Sequence, residues 1–160
     1  MKKFLVVSDT HVPVYQKDLP AKIYELTKEL DGVIAVGDFV NLDTVLTLET
    51  LSKGFHGVHG NMDHIDVKEH LPERKVIRVE GVNIGLIHGF GAPFAIRERI
   101  YKKFLDVEDL DVIIYGHTHE PFDGMERNIR FLNPGSATPG GTYAILTLDG
   151  GKVIFQIHRL

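Results

Sequence analysis

The chain has 160 residues, 43% of them hydrophobic, a net charge of −4 and no cysteine, which predicts one globular domain over residues 1–160. The absence of cysteine excludes disulfides and thiolate chemistry, fits a cytoplasmic location, and leaves nitrogen and oxygen as the ligands for any metal. The acidic charge, the lack of long basic runs and the lack of an apolar stretch of ~18 residues argue against extended nucleic-acid binding and a membrane span.

Short apolar runs alternate along the chain with segments of helical spacing. Helices are expected with Pro20 at the first helical position, with Asn41 as a cap, and opening at Pro93. Tight turns at Gly81 and at 149–151 indicate antiparallel strand pairs. Strands that alternate with helices and also form hairpins predict an α/β domain with mixed sheets. The predicted strands are 4–7, 33–36, 55–58, 83–87 and 112–115, the helices are 19–30, 41–53 and 93–105, and the hairpins are 75–87 and 142–160.

Polar side chains that can bind metals follow most of the predicted strands. In open α/β sheets, ligands collect at the carboxyl ends of strands, so these residues are candidates for one site. In extended chain, Asp9 and His11 would point to the same side and reach one ion together. The candidate residues are Asp9, His11, Asp38, Asn61, Asp63, His88, His117 and His119.

Each candidate has an ordinary explanation when it is taken alone. Asp9 would cap a turn, His88 would be a histidine satisfied by backbone groups near the core, and an HxH pair arises by chance among nine histidines. Taken together, carboxylate, amide and imidazole ligands at the ends of five strands match the needs of a site for two divalent ions. The competing motifs GxxxxGK[ST], GxGxxG and GxSxG are absent. The glycine-rich residues 133–141 predict a loop.

Five short blocks resemble a known family in both composition and order. They are DTH at 9–11, GD at 37–38, GN at 60–61, HG at 88–89 and GHTH at 116–119. This order resembles the calcineurin-like metallophosphoesterase superfamily, and NPGS at 133–136 with the small size resembles its YfcE-like phosphodiesterase branch. The resemblance implies a four-layer αββα fold, in which two mixed sheets pack as a sandwich flanked by helices and carry a dinuclear metal site at one edge.

The resemblance also implies a set of ligands for two divalent ions. Manganese is expected, and iron, zinc and nickel suit the same ligands. A hydroxide shared by the two ions would attack a small phosphoester substrate, with Asn61 and His88 at the catalytic centre and Asp63 beside it. The implied ligands are Asp9, His11 and His119 for the first ion, Asn61, His88 and His117 for the second, and Asp38 bridging both.

The chain departs from the family pattern directly after Asn61. Many larger members carry a general-acid His there, supported by an Asp and an Arg. Here Met62 replaces the His, while Asn41 and Leu42 stand at the supporting positions. A thioether cannot donate a proton. The sequence therefore favours diesters, and monoesters with good leaving groups, over alkyl phosphomonoesters.

His64 is an alternative source of the proton. Residues 63–71 are more simply explained as a short helix that Asp63 caps while stabilising the turn. The remaining histidines, 56, 59, 70 and 158, are interpreted as structural or surface residues.

Two other functions are distinguishable in the sequence. A relative that has become a protein-binding scaffold would show a substitution among the seven ligand positions, and this chain shows none. A nuclease acting on polymers would require a basic groove. The sequence leaves the oligomeric state open, and a homo-oligomer is compatible with it.

Overall fold

The computed structural model describes residues 1–160 and contains ten strands and four helices. The strands are β1 Lys2–Val7, β2 Gly32–Val36, β3 Phe55–Val58, β4 Arg74–Val79, β5 Val82–Ile87, β6 Val112–Ile114, β7 Phe122–Glu126, β8 Ile129–Asn133, β9 Thr142–Asp149 and β10 Lys152–Arg159. The helices are α1 Ala21–Glu29, α2 Leu42–Leu51, α3 Ile65–His70 and α4 Ile96–Lys102. None of these helices has the length and hydropathy that a membrane crossing requires.

The strands form two mixed five-stranded sheets. The first has the order β10-β9-β1-β2-β3, with β1, β2 and β3 parallel and with β9 antiparallel to β1. The second has the order β4-β5-β6-β8-β7, with β5, β6 and β8 parallel and both edge strands antiparallel. The ends of the parallel strands in both sheets bring the candidate residues together.

Strand β1 shows how the layers are built. Phe4 and Val6 join the core between the two sheets, whereas Leu5 and Val7 pack with the helices on the opposite face. Because side chains alternate along a strand, a strand that is covered on both faces is apolar throughout. Helices α1 to α3 cover the first sheet, and α4 covers the second. The predicted two-sheet sandwich flanked by helices is confirmed.

Most of the predicted elements are confirmed, with small shifts at their ends. All five predicted strands and both hairpins are present, and Asn41 caps α2 by accepting a hydrogen bond from the Thr44 backbone N–H. The prediction that the last helix opens at Pro93 is wrong. This helix begins at Ile96, because Ala95 has a left-handed backbone (φ 57°) that a right-handed helix cannot include.

Two strands of the second sheet were not predicted. Strand β7 has the sequence FDGME, in which exposed residues alternate with partly buried ones and no apolar run is present. It forms because β8 supplies an antiparallel partner. Its strand character therefore depends on pairing, which local sequence does not reveal.

Candidate metal centre

The candidate aspartates and histidines converge from the ends of several strands onto one edge of the sandwich. Asp9 and His11 follow β1, Asp38 follows β2, His88 follows β5, and the two histidines of GHTH follow β6. Within each of two groups, the potential ligand atoms lie within 4.8 Å of one another. The groups are Asp9, His11 and His119, and Asp38, His88 and His117.

The carboxylate of Asp9 is fully buried at the centre of this cluster. Its Oδ2 accepts hydrogen bonds from Ser8 Oγ at 2.7 Å and from the backbone N–H of His117 at 3.1 Å. Its Oδ1 accepts no hydrogen bond within the protein and faces three imidazoles. The atoms closest to Oδ1 are Nε2 of His119 at 3.4 Å, of His88 at 3.6 Å and of His11 at 3.7 Å.

Three buried atoms in this cluster have no hydrogen-bond partner in the protein. They are Asp9 Oδ1, His11 Nε2 and His88 Nε2. A buried polar atom without a partner costs about 1–3 kcal/mol, so a protein seldom keeps several of them side by side. A divalent cation with oxygen and imidazole ligands would satisfy all three atoms at once. The donor set therefore fits a divalent metal.

Asp38 belongs to the second group and also faces the first. Its Oδ2 is 3.1 Å from His88 Nε2 and 3.7 Å from His11 Nε2, and its Oδ1 accepts a hydrogen bond from the Met62 backbone N–H at 2.9 Å. One carboxylate oxygen thus reaches one histidine of each group. This position is the one that a carboxylate shared by two cations would need.

Backbone carbonyls select which nitrogen two of the histidines present. His88 Nδ1 lies 2.6 Å from the carbonyl of Val36, and His117 Nε2 lies 2.8 Å from the carbonyl of Gly91. A carbonyl only accepts, so each of these nitrogens carries the proton. His88 consequently offers Nε2 to the centre, and His117 offers Nδ1.

Most of the candidate ligands have a left-handed backbone. A positive φ is uncommon outside glycine and costs roughly 1–2 kcal/mol per residue. The expected reason for pairing Asp9 with His11, an extended chain, is therefore wrong: both lie in the irregular segment after β1 with left-handed backbones. The left-handed ligands are Asp9 (φ 54°), His11 (45°), Asp38 (55°), His117 (70°) and His119 (64°).

Asp63 joins the loop after β2 to the loop after β3. Its Oδ2 accepts hydrogen bonds from the backbone N–H of Gly60 at 2.7 Å and of Asp38 at 3.0 Å, and its Oδ1 accepts from Val40 at 2.7 Å. The prediction that Asp63 caps α3 is wrong, because the cap position is His64 and no side chain bonds there. Burial raises the pKa of Asp63, an effect that the three backbone N–H groups only partly offset.

Asn61 is exposed, lies two residues before Asp63, and lines a cavity of about 170 Å³ together with His88 and Phe90. The preceding Gly60 is required by close packing, because a Cβ there would collide with Asp38 Oδ1. His64 is exposed at the start of α3.

Sequence reasoning missed two contacts to the cluster. The ring of Tyr15 stacks on His11 with 4.2 Å between centroids and 23° between planes, while remaining 60% exposed. Ser136 Oγ donates to the backbone carbonyl of Asp9 at 2.8 Å. Ser136 belongs to the NPGS block, which offered a signal, whereas nothing in the local sequence marks Tyr15.

Charge compensation shifts the pKa values inside the cluster. Burial alone would lower the pKa of His88, but its 3.1 Å contact with the Asp38 carboxylate and the charges of Asp9 and Asp38 raise it to about 9. Burial alone would raise the pKa of Asp9, yet the contacts with His11 and His119 bring it below its usual range. The Asp9 carboxylate therefore stays ionised, and His88 holds a proton at neutral pH in the metal-free protein.

Comparison with known proteins establishes the family. The profile of the calcineurin-like phosphoesterase superfamily domain matches residues 2–151, and the chain belongs to this family, whose members are metal-dependent phosphoesterases. A protein of Methanothermobacter thermautotrophicus described as a "probable metallophosphoesterase" is 32% identical over 160 residues, which cover 96% of this chain and 90% of that protein. The resemblance inferred from the sequence is confirmed.

Solved structures agree with this assignment. A Thermotoga maritima protein solved by NMR is 55% identical, covers 100% of both chains and superposes with a TM-score of 0.83. Vps29 of Entamoeba histolytica, solved in complex with Zn²⁺, is 27% identical over 99% of this chain and 98% of its own, with a TM-score of 0.77.

Replacing Asp63 with Asn should loosen both loops. The new amide would place an NH₂ group against a backbone N–H, and losing hydrogen bonds to a charged acceptor costs about 1.5–3 kcal/mol. We expect Asp63→Asn to lower the free energy of unfolding by that amount in urea titrations. The matched control is Asp43→Asn, whose carboxylate is exposed. Equal stabilities of the two variants would contradict the role of Asp63 in holding the two loops together.

Metal uptake should release protons at neutral pH. Coordination through His88 Nε2 requires the neutral ring, and the raised pKa of His88, about 9, means that this ring is protonated at pH 7. Affinity for Mn²⁺ should therefore rise between pH 6 and pH 9. Calorimetric titration in two buffers of different ionisation enthalpy measures the released protons. His88→Ala should release fewer, His70→Ala should match the wild type, and a buffer-independent heat would refute the prediction.

Proposed function

We propose that the protein is a phosphodiesterase that acts on a small phosphoester with two divalent cations at the strand ends. One observation carries this proposal. Three buried atoms that can bind a metal and have no hydrogen-bond partner, Asp9 Oδ1, His11 Nε2 and His88 Nε2, converge in a chain of a phosphoesterase family. Manganese is the first candidate, and iron, zinc and nickel suit the same ligands. When bound, two such cations lower the pKa of a shared water and neutralise charge on the phosphoryl oxygens.

The chain's own residues would hold and orient the two cations. The assignment follows the two groups of donors, with the exposed amide of Asn61 added to the second. Asp38 serves both because its Oδ2 faces one histidine of each group. The proposed ligands are Asp9, His11 and His119 for the first cation, Asn61, His88 and His117 for the second, and Asp38 for both.

Catalysis in this arrangement depends on positioning. Phosphoryl transfer requires charge stabilisation and in-line geometry more than proton transfer by side chains. His88 is oriented by the Val36 carbonyl, and Asp38 is anchored by the Met62 backbone N–H. Asn61 presents its amide at the cavity where the ester group would enter. Asp63 holds the loops after β2 and β3 together through hydrogen bonds to their backbone N–H groups.

The position after Asn61 narrows the proposed substrates. Met62 is 55% exposed, so its side chain lies on the surface, and its thioether carries no transferable proton. Asn41, at one supporting position of the lost acid, is occupied in capping α2. A leaving group must then depart with little help, which favours aryl or other weakly basic esters. Phosphodiesters of this kind are the proposed substrates.

The leaving-group preference can be measured directly. With added Mn²⁺, we expect bis(p-nitrophenyl) phosphate to be hydrolysed at least ~10²-fold faster than glycerol phosphate, because a positioned general acid contributes about 10²–10⁴-fold. Met62→His should raise the alkyl monoester rate by at least ~10-fold, below that full range because no Asp supports the new ring. Met125→His, at a distant exposed position, is the control. Comparable wild-type rates on both esters would contradict the predicted preference for good leaving groups.

The ligand assignment is tested by substitution and metal analysis. Asp38→Asn and His88→Ala should each lower the hydrolysis of bis(p-nitrophenyl) phosphate by more than ~10²-fold, because each removes a donor to a cation that carries the charge stabilisation. His70→Ala, which removes an exposed imidazole paired with Glu49, should leave the rate unchanged. Elemental analysis should give two metal ions per wild-type chain. Unchanged rates in both ligand variants would refute the assignment.

A protein-binding scaffold is the second candidate. What favours it is the 27% identity to Vps29, a protein whose relatives are named for vacuolar protein sorting rather than for hydrolysis. Retention of all seven donor positions in this chain favours the enzyme. The scaffold would be supported by a wild-type chain that binds no metal and is inactive with manganese, iron, zinc and nickel.

A further inference from the structure

The 89–95 loop leads from β5 to α4 and makes one hydrogen bond to a side chain of the candidate centre. The carbonyl of Gly91 accepts the hydrogen bond from His117 Nε2 at 2.8 Å. This bond is the only side-chain hydrogen bond of the His117 ring, so the position of one carbonyl decides which nitrogen faces Asp38 and His88. The loop itself contains two glycines with positive φ, Gly89 and Gly91. Such a segment needs external support to hold an atom in place.

The guanidinium of Arg99 supplies that support. From helix α4, Nε donates to the carbonyl of Phe90 at 3.1 Å, Nη1 donates to that of Phe94 at 2.8 Å, and Nη2 donates to that of Ala92. The carbonyls of Phe90 and Ala92 flank Gly91 on both sides. Three donors on one rigid planar group therefore fix the peptide units on either side of the acceptor for His117.

Other arginines nearby are used differently. Arg97 pairs with Glu126, and Arg127 pairs with Glu98, each at or under 3.0 Å. Arg99 has no carboxylate within 4.0 Å and directs its donors to loop carbonyls alone. Its role is thus to order the backbone of this loop, and a surface ion pair does not explain its position.

Gly91 is shaped to the same contact. Its φ is +80°, and a Cβ built there would lie 3.0 Å from Arg99 Nε and 3.1 Å from Nη2. Contacts this short require the guanidinium to shift by a few tenths of an ångström, and the positive φ strains any other residue at this position. The absence of a side chain at Gly91 therefore allows the Arg99 guanidinium to pack closely against the loop.

We propose that Arg99 is a positioning residue for the candidate metal centre. By holding the carbonyls on both sides of Gly91, it fixes the ring of His117 with Nε2 protonated and Nδ1 turned toward the second group of ligands. The metal part of this inference rests on the proposed function, whereas the orientation of His117 does not. The same loop carries Phe90, which lines the cavity beside Asn61, so Arg99 also places a wall of the proposed substrate site.

The test uses Arg99→Ala and Arg99→Lys, with Arg127→Ala as the matched control. In metal-free protein, ¹⁵N NMR of the labelled His117 ring should report one protonated Nε2 in the wild type and an averaged pair of nitrogens in Arg99→Ala. Affinity for the second Mn²⁺, measured by chelator competition, should fall about 10–100-fold, as is typical when a residue behind a ligand is lost. Arg99→Lys should fall between, because an ammonium cannot reproduce the planar fork. Arg127→Ala should match the wild type in both measurements.

Gly91→Ala provides a second variant, which strains the loop at the acceptor and displaces the guanidinium slightly without removing it, and it should shift both measurements in the same direction. An unchanged His117 tautomer and unchanged affinity in folded Arg99→Ala would overturn the inference. If Arg99→Ala fails to fold by circular dichroism, Arg99→Lys decides the question by the same criteria. If the wild type binds no Mn²⁺, the proposed function fails, and the tautomer measurement still decides the role of Arg99.

Discussion

The buried carboxylate of Asp9 is the constraint on which the arrangement of the strand ends depends. A charge out of contact with water is unfavourable unless other groups compensate it. Here the compensation comes from both sheets, because Oδ2 accepts from Ser8 at the end of β1 and from the backbone N–H of His117 after β6. Oδ1 is left facing three imidazoles. Burial of this one group thus requires the two sheets to pack with their strand ends aligned, and that alignment is what assembles the site.

Strain in the loops follows from the same requirement. Five candidate ligands have left-handed backbones, and such conformations persist only where the surroundings hold them. The bonds that hold them are visible: Asp9 N–H donates to Gly37 O, His11 N–H donates to Asp38 O, and Asp63 collects three N–H groups from two loops. The cores on both faces of the sheets offset this cost. The packed sandwich therefore stabilises strained loop backbones, and these loops fix the directions of the side chains at its edge.

The chemistry of the centre is set in successive layers of contacts. Carboxylates and imidazoles supply donors, and the carbonyls of Val36 and Gly91 decide which imidazole nitrogen is offered. Behind Gly91, the guanidinium of Arg99 holds the carbonyls on either side. Met62 contributes through its backbone N–H alone, so its side chain leaves the proposed reaction without an acid at that position. The proposed reaction thus relies on charge and orientation.

The sequence by itself determined the α/β class, the five main strands, the cap at Asn41 and the residues that gather at one edge, because apolar alternation, turn residues and strand ends are local features. It also allowed the family to be recognised from short blocks in a fixed order. Only the tertiary structure decided that Asp9 and His11 turn left-handed, that Asp63 clamps two loops instead of capping α3, and that β7 is a strand. The contact of Asp9 with His117 spans 108 positions, and that of Gly91 with His117 spans 26. Such contacts arise from packing of distant segments, so no local pattern encodes which nitrogen of a histidine faces the centre.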